Sequence, residues 1–218
     1  MNKTVYEIMH RNRKVAKIDE TGFSKVYYKS FMPYNLYLEE EEDIDTLVNN
    51  VTNFNYWCAT RVLTLDRTYA KEILNSIGMT QAVTDKERAR IALSYRCASL
   101  TDPFWVRKKG EKVSFEEVNL YENHLDNTFI DIALKGKQYT VDNENLAKDL
   151  STKGCFPKAW KRVENGFVLL KDGGIETVER ELLASKLCQC FNVSQVVYTE
   201  DIFDNAKVTR SENITSKE

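Results

Sequence analysis

The sequence predicts an α+β fold, in which a helical and β-hairpin amino-terminal region is followed by an antiparallel sheet that carries one helix. Two capping-box patterns predict helices in the middle of the chain. Near the carboxyl end, Asn165 and Gly166 stand between two β-rich runs and predict a hairpin, because both residues tolerate the positive φ of a tight turn. An apolar stripe at helical spacing follows and predicts the helix. A change of pattern near residue 137 predicts two domains, residues 1–136 and residues 137–218.

Short strands joined by turns are predicted for the first segment, from Thr4 to Leu38. Residues 14–18 alternate weakly between apolar and polar side chains, and residues 23–28 are rich in aromatic and β-branched side chains, which favour strands. The acidic run from Glu39 to Asp45 ends this pattern. It predicts a solvated loop or the first turn of a helix, where carboxylates stabilise the macrodipole. A binding patch for a basic partner is the alternative.

Three helices are predicted between residues 66 and 121. Asp66 is the expected cap of the first helix, which ends at Gly78. The apolar side chains of this helix share one face: Ala70, Ile73, Leu74 and Ile77. The capping boxes that open the other two helices are Thr84 with Glu87 and Ser114 with Glu117. Pro103 stops the second helix, because proline disfavours helical geometry in the residue before it.

A β-hairpin is predicted after Asp126, where the period of the sequence changes. Ile130, Ile132 and Leu134 alternate with more polar or smaller residues, which is the pattern of a strand with one buried face. Gly136, two residues after Leu134, predicts a turn toward a second strand at residues 138–141.

Charge and composition exclude some classes of function. The chain has 218 residues, of which 42% are hydrophobic, so it is long enough to bury a core. Its formal net charge is −2, and without a basic excess there is no support for a nucleic-acid partner. The apolar runs are too short to span a bilayer, and the first residues lack the apolar core of a signal peptide. We therefore expect a cytoplasmic protein with neither a membrane nor a nucleic-acid partner.

The five cysteines fit a reducing compartment and predict no metal site. Their number is odd, and Cys188 and Cys190 are two positions apart on a predicted helix, where they do not share a face. No second Cys or His pair stands at zinc-finger spacing. Glu122, His124 and Asp126 alternate, but they fit a polar loop better than a metal site.

The strongest chemical pattern lies near the carboxyl end. Two β-rich runs, residues 160–163 and 167–171, are followed by a helix rich in glutamates and then by strands at residues 195–198 and 207–209. A lysine at the end of a sheet strand can reach the phosphates of ATP as a point charge. Lys171 ends the second run and fits this role.

Three glutamates on the predicted helix are candidates for an ion pair with Lys171. In kinases, such a pair holds the phosphate-binding lysine in position. Glu181 is the preferred candidate, because it adjoins the apolar stripe and can point toward the sheet. Glu176 and Glu179 are competing candidates that are expected to face water.

A short loop before the hairpin carries hydroxyl and glycine residues suited to phosphate. Its residues are Leu150, Ser151, Thr152, Lys153 and Gly154. Backbone N–H groups and hydroxyls of such a loop can donate to phosphate oxygens. The spacing matches neither a Walker loop nor the multi-glycine loop of ordinary protein kinases.

On spacing alone, a solvated strand-edge lysine is the competing interpretation of Lys171.

Three runs in this last region resemble the small lobe of HipA-like kinases. They are residues 149–160 (DLSTKGCFPKAW), 166–171 (GFVLLK) and 179–185 (ERELLAS). Residues 99–106 (SLTDPFWV) and 115–121 (FEEVNLY) resemble the segment before this lobe in the same family. The resemblance extends over residues 85–218.

The resemblance implies a bacterial serine/threonine kinase that transfers phosphate from ATP with Mg²⁺, often within a toxin–antitoxin system. It implies that Lys171, Glu181 and the loop residues Ser151, Thr152, Lys153 and Gly154 bind ATP. It also implies autophosphorylation of a loop hydroxyl, at Ser151 or Thr152, which inactivates the enzyme by displacing the loop.

The groups that perform phosphotransfer are expected outside this chain. The reaction needs an aspartate that orients the acceptor hydroxyl, and Asn and Asp ligands for Mg²⁺; in the family these lie in a later, mostly helical large lobe. We therefore expect no catalytic residue and no metal ligand here, and a truncated or split kinase that depends on a separate large-lobe polypeptide. The alternatives are a stand-alone regulatory module that binds a kinase, an antitoxin or another protein, and a mobile-element remnant without a function.

Overall fold

The computed structural model describes residues 3–79, 83–123, 127–137, 150–191 and 193–215. Across these residues the chain contains six α-helices and two antiparallel four-stranded sheets, which confirms the predicted α+β class. The helices are α1 (Ile44–Ala59), α2 (Ala70–Ser76), α3 (Asp85–Ser94), α4 (Phe115–Val118), α5 (Asn127–Lys135) and α6 (Ile175–Cys188). The strands are β1 (Val5–His10), β2 (Arg13–Asp19), β3 (Ser24–Val26), β4 (Phe104–Lys108), β5 (Lys158–Val163), β6 (Gly166–Lys171), β7 (Tyr198–Phe203) and β8 (Ala206–Glu212).

The described residues group into two compact units. The first contains residues 3–63, 83–123 and 150–151, and the second contains residues 64–79, 127–137, 152–191 and 193–215. The second unit therefore combines a segment from the middle of the chain with the carboxyl-terminal region. The predicted boundary between residues 136 and 137 separates two regions that would each fold independently. This boundary stays a prediction.

The sheet of the first unit has the order β3-β2-β1-β4, with antiparallel neighbours. It buries Ile8, Val15 and Trp105 completely, and burial of one such side chain contributes about 1.5–3 kcal/mol. Strand β4 was not predicted. Its three apolar residues follow Pro103 directly, and so short a run does not distinguish a strand from a loop until its partner β1 is known.

The acidic run forms both a loop and the start of a helix. Residues 39–42 lie exposed outside regular structure. The Asp43 carboxylate accepts a hydrogen bond from the Thr46 N–H at 3.0 Å and caps α1. Asp45 lies in the first turn of α1, where its negative charge complements the macrodipole. The two expectations, a loop and a first helical turn, are therefore both met, in different parts of the run.

The β-hairpin predicted from Ile130 to Leu134 is wrong, because these residues lie in helix α5. The buried positions include Phe129, Ile130 and Ala133 as well as the residues of the alternating pattern, and their three- and four-residue spacing is that of a helix face. Gly136 follows with a φ of 64° and donates its N–H to the Ile132 carbonyl at 2.9 Å, a usual helix end. Residues 138–141, the predicted second strand, lie outside the described residues.

The capping boxes are confirmed, whereas the predicted cap of α2 is wrong. Thr84 Oγ1 accepts from the Glu87 N–H at 3.2 Å, and Glu87 Oε2 accepts from the Thr84 N–H at 2.8 Å. The same reciprocal pattern opens α4. Helix α2 begins after Tyr69, which has a left-handed φ of 64°. Asp66 lies too far before this start to cap it, and it accepts instead from Cys155 Sγ at 3.3 Å.

The sheet of the second unit has the order β5-β6-β8-β7, again antiparallel throughout. Strands β5 and β6 form the predicted hairpin, but its turn lies at Glu164 and Asn165, because Gly166 already pairs with Val163 as the first residue of β6. Of the predicted turn pair, Gly166 alone has a positive φ, 134°. Strand β7 begins at Tyr198, where the predicted strand was to end, because its ladder with β8 starts at the pair Tyr198 and Ser211. Helix α6 packs against β7 and β8 and buries Val178. Helix α5 packs against β5, so the sheet carries a second helix in addition to the predicted one.

Within the described residues, no helix has the length and apolar character that crossing a membrane requires.

Candidate functional site

Lys171 and Glu181 form an ion pair in the second unit. Lys171 is the last residue of β6, and Glu181 lies in the second turn of α6. Lys171 Nζ donates to Glu181 Oε1, and Oε2 accepts from Thr209 Oγ1 of the neighbouring strand at 3.1 Å. The two charged side chains are 20% and 23% exposed, so the pair is shielded but remains reachable from solvent.

The two competing glutamates of α6 lie elsewhere. The Glu176 side chain is 82% exposed and lies 3.3 Å from Arg180, one turn further along the helix. The Glu179 side chain is 61% exposed and lies 3.9 Å from Lys207. Of the three candidates, the structure therefore brings to Lys171 the one that adjoins the apolar stripe.

Neighbouring contacts fix the end of β6. Lys171 Nζ lies 5.2 Å from the centroid of the Phe156 ring, a cation–π contact. The next residue, Asp172, donates its N–H to the Pro157 carbonyl at 2.9 Å, and its carboxylate lies 2.8 Å from Lys135 Nζ. The strand end that presents Lys171 is thus held both to the loop before β5 and to α5.

The loop residues Thr152, Lys153 and Gly154 lie in the same unit as the ion pair. Thr152 is buried, and the Lys153 carbonyl accepts from Lys158 Nζ at 2.5 Å. Gly154 has a φ of 96°, and a Cβ at this position would lie 2.7 Å from Lys158 Nζ. The left-handed backbone favours glycine here, and a Cβ would in addition require the end of the flexible Lys158 side chain to shift.

Ser151 belongs to the first unit. It is buried, and its Oγ lies 2.6 Å from the buried Ser99 Oγ, with either atom able to donate. The two hydroxyls that the resemblance proposes as acceptors, Ser151 and Thr152, are therefore both buried and both hydrogen-bonded within the protein.

Lys158 is a further cation of the site that the sequence analysis did not identify. It is the first residue of β5 and only 8% exposed. Burial lowers the pKa of its ammonium group to about 8, and the nearby positive charges of Arg67 and Lys171 act in the same direction. The carboxylate of Glu181 opposes this shift. With this pKa the ammonium group is still mostly protonated at pH 7, and a bound anion would raise the pKa again.

Lys158 is identified by the register of the hairpin in the structure. The ladder pairs Val163 with Gly166 and, five residues further out, Lys158 with Lys171. The turn therefore lies at Glu164 and Asn165, one position before the predicted pair, and counting outward from the predicted pair would have placed Trp160 opposite the strand-end lysine. Phe156 and Arg67 have no local indication either, because their contacts depend on the fold of the loop and of the segment before α2.

The charges of the site suit an anion. Among the described residues, the side chains that act most strongly on Lys158 are two cations, Arg67 and Lys171, and one carboxylate, Glu181. Glycine and hydroxyl residues of the loop lie beside these cations. A ligand with more than one negative charge would interact favourably with Lys158 and with the cations near it. The part of the chain that the structure describes contains no group of three His, Cys, Asp or Glu side chains placed to hold a metal ion.

No protein-family model matches the chain, and no curated protein matches its sequence. The geometry of the second unit and the short runs that resemble HipA-like kinases are therefore the observations from which a function can be inferred.

Proposed function

We propose that the second unit is the small lobe of a HipA-like protein kinase and binds the phosphates of ATP. The observation that carries this proposal is the ion pair between Lys171, at the end of a sheet strand, and Glu181, on the helix that follows. In protein kinases, a lysine and glutamate in these two positions must pair for the lysine to hold the phosphates of ATP. Thr209 fixes the second carboxylate oxygen, which favours one orientation of the pair.

The surroundings of the ion pair support a polyphosphate ligand. Lys158 adds a second lysine directly opposite Lys171 in the hairpin. Gly154 has a positive φ and lies directly beside the Lys158 ammonium group, and turns with such backbone conformations occur in anion-binding loops. A solvated edge residue, the competing interpretation of Lys171, fits less well with a side chain that is four-fifths shielded and paired.

The proposal assigns phosphate binding to this chain and no catalytic residue. Among the described residues, no carboxylate cluster fits Mg²⁺, so we derive no step through a metal held by the protein. An acceptor-orienting aspartate and the metal ligands would come from a large lobe that residues 1–218 do not include. We place the protein in the cytoplasm, a compartment that suits its five free thiols.

Calorimetric titration with Mg-ATP tests the proposal. We expect weak but measurable binding, because half of the usual nucleotide cleft is contributed by a second lobe. Lys171→Ala should lower the affinity at least tenfold, which is about 1.4 kcal/mol, and Glu181→Gln should lower it as well. The matched controls on the same helix are Lys186→Ala and Glu176→Gln, which should leave the affinity unchanged. Sub-micromolar affinity for the wild type would count against a lone small lobe, and equal binding by Lys171→Ala would refute the phosphate role.

Phosphotransfer by the purified chain is a separate test. We expect no incorporation of the γ-phosphate of ATP into the protein or into an added substrate. Robust incorporation that is lost in Lys171→Ala would mean that residues 1–218 carry their own catalytic groups, and would overturn the assignment of catalysis to a large lobe.

A second candidate function, a regulatory module that binds a kinase or another protein, is favoured by the outer surface of α6. Large apolar side chains of this helix and of the residues after it are more than half exposed: Ile175, Leu183, Leu187 and Phe191. Exposed apolar residues at helical spacing are typical of a surface that another protein covers. Binding to a HipA-like kinase that survives Lys171→Ala but is lost in Leu183→Lys with Leu187→Lys would favour this function over nucleotide binding.

A further inference from the structure

Three consecutive residues before α2 hold the proposed phosphate loop, which extends from Thr152 to Lys158, the first residue of β5. Asp66 accepts a hydrogen bond from Cys155 Sγ at 3.3 Å, and the Thr68 N–H donates to the Cys155 carbonyl at 2.8 Å. Cys155 is exposed at the middle of the loop. The outer two residues of the segment 66–68 therefore attach to the loop at its centre.

Arg67, the middle residue of the segment, attaches to both ends of the loop. Its Nη1 donates to Thr152 Oγ1 at 2.5 Å and to the Thr152 carbonyl at 3.2 Å. Its Nη2 donates to the Lys158 carbonyl. Arg67 is only 4% exposed. A planar guanidinium has donors pointing in fixed, diverging directions, so one side chain can set the separation between the two ends of the loop.

The charge of Arg67 also acts on the lysine that the loop surrounds. After burial, Arg67 is the largest cause of the lowered pKa of Lys158, which lies at about 8. The other groups that act on Lys158 are Lys171, Glu181 and Cys155. Arg67 therefore has two separable effects, one through the shape of its guanidinium and one through its charge.

We infer that Arg67 is a positioning residue of the proposed phosphate site. Its guanidinium holds the loop from Thr152 to Lys158 at both ends, and it thereby sets where Lys158 presents its ammonium group to a phosphate. This inference rests on the proposed function for the identity of the ligand, but not for the hold on the loop. Arg67 therefore positions the ligand-binding loop in addition to satisfying buried carbonyl groups.

Two substitutions separate the shape of Arg67 from its charge. Arg67→Lys keeps the charge but loses the fork, whereas Arg67→Gln loses the charge and keeps hydrogen-bond donors. We expect Lys158, followed by the ¹³Cε signal of labelled lysine and assigned by its loss in Lys158→Met, to titrate near pH 8 in the wild type. Arg67→Gln should move this midpoint upward by one pH unit or more, while Arg67→Lys should move it less.

Hydrogen exchange and Mg-ATP titration complete the test. Both variants should raise deuterium uptake across residues 150–158, and both should weaken Mg-ATP binding at least fivefold. Thr152→Val removes one acceptor of Arg67 and no charge, and it should raise deuterium uptake in the same residues. This variant tests the hold on the loop if the Arg67 variants do not fold.

The outcomes distinguish this inference from the proposed function. If the wild type binds no ATP, but Arg67→Gln still shifts the midpoint and raises loop exchange, the hold on the loop stands and the proposed ligand is wrong. If ATP binds and Lys171→Ala abolishes it, but folded Arg67→Gln and Arg67→Lys leave the midpoint, the loop exchange and the affinity unchanged, the positioning role is wrong. In that case the proposed function stands without it.

Discussion

Two buried arginines, one in each unit, differ in what surrounds them. Arg61 of the first unit is 7% exposed and donates two hydrogen bonds to the Asp102 carboxylate, at 2.9 and 2.5 Å. Arg67 of the second unit is as deeply buried, but its hydrogen bonds to Thr152 and Lys158 go to uncharged oxygen atoms. A fixed carboxylate thus lies against the Arg61 guanidinium, whereas the charge of the Arg67 guanidinium acts on the buried ammonium group of Lys158.

The pKa shifts reflect the same difference. Burial favours loss of the proton from Arg61, but the hydrogen bond and charge of Asp102 outweigh it and raise the pKa of Arg61. Near Arg67, the neighbouring cations act with burial, and the pKa of Lys158 is lowered. The carboxylate of Asp102 holds the charge of Arg61 within the fold, whereas a lysine whose pKa is lowered by burial and by neighbouring charges is typical of a binding site.

The largest expected effect is on the first unit. Arg61→Met should lower its free energy of unfolding by about 3 kcal/mol, because it leaves a partly buried Asp102 carboxylate without its partner. Urea unfolding followed by tryptophan fluorescence measures this in a Trp160→Phe background, where only Trp57 and Trp105 of the first unit report.

Arg90→Ala is the control for Arg61→Met, because Arg90 is an exposed arginine of α3 in the first unit. Its loss should change the unfolding midpoint very little. A change below 1 kcal/mol for Arg61→Met would mean that the two buried arginines do not differ in the way their surroundings indicate.

Acid should destabilise the first unit through a second neutralised charge, Glu7. Burial alone would raise the pKa of Glu7, but hydrogen bonds from Arg107 and Lys14 outweigh it and lower the pKa. The stabilisation is therefore fully present above the ordinary glutamate pKa and is lost as the pH falls through the lowered value.

The measurement compares the wild type with Glu7→Gln at pH 7 and pH 3. Glu7→Gln should cost about 2 kcal/mol at pH 7, and the difference between the two proteins should shrink at pH 3. An unchanged difference at the two pH values would contradict the assigned role of the Glu7 charge.

Of the three substitutions, Lys158→Met should change the stability least. It should stabilise the protein at pH 7, whereas Arg61→Met and Glu7→Gln should destabilise it. The folded pKa of Lys158, about 8, lies below the ordinary lysine value of 10.5, so the folded state binds fewer protons than the unfolded state between these two values. Stability of the wild type should rise with pH across this window, and Lys158→Met should remove that rise while making the second unit slightly more stable at pH 7.

The same substitution should weaken Mg-ATP binding, and the affinity of the wild type should fall as the pH rises through 8. Lys161→Met, on the same strand, is the matched control and should leave both the pH dependence and the affinity unchanged. Loss of stability at pH 7 in Lys158→Met, with normal ATP affinity, would identify Lys158 as a structural lysine. The buried charges of the two units would then have the same role, which is to stabilise the fold.

The sequence predicted best what depends on neighbouring residues. The hairpin of β5 and β6, the capping box at Thr84 and the pairing of Lys171 with a residue of the next helix all follow from local spacing. The α5 segment was predicted wrongly, because its alternation of apolar residues overlaps with helical spacing and Ala133, taken for an exposed position, is buried.

The parts of the site that escaped prediction depend on distant residues. Arg67 contacts Thr152 across 85 positions of sequence, and no local pattern marks an arginine for this role. Lys158 became recognisable only through the register of the ladder, which places it opposite Lys171. Strand β4 was missed for a similar reason, since its partner β1 lies about a hundred residues earlier.

The most direct test of the central claim is the change in backbone amide NMR signals on addition of Mg-ATP. We predict saturable shifts concentrated in residues 152–158 and around Lys171, which disappear in Lys171→Ala and persist in Lys186→Ala. Saturable shifts that leave residues 152–158 untouched, or that remain in folded Lys171→Ala, would contradict the claim that the cations of the second unit bind phosphate.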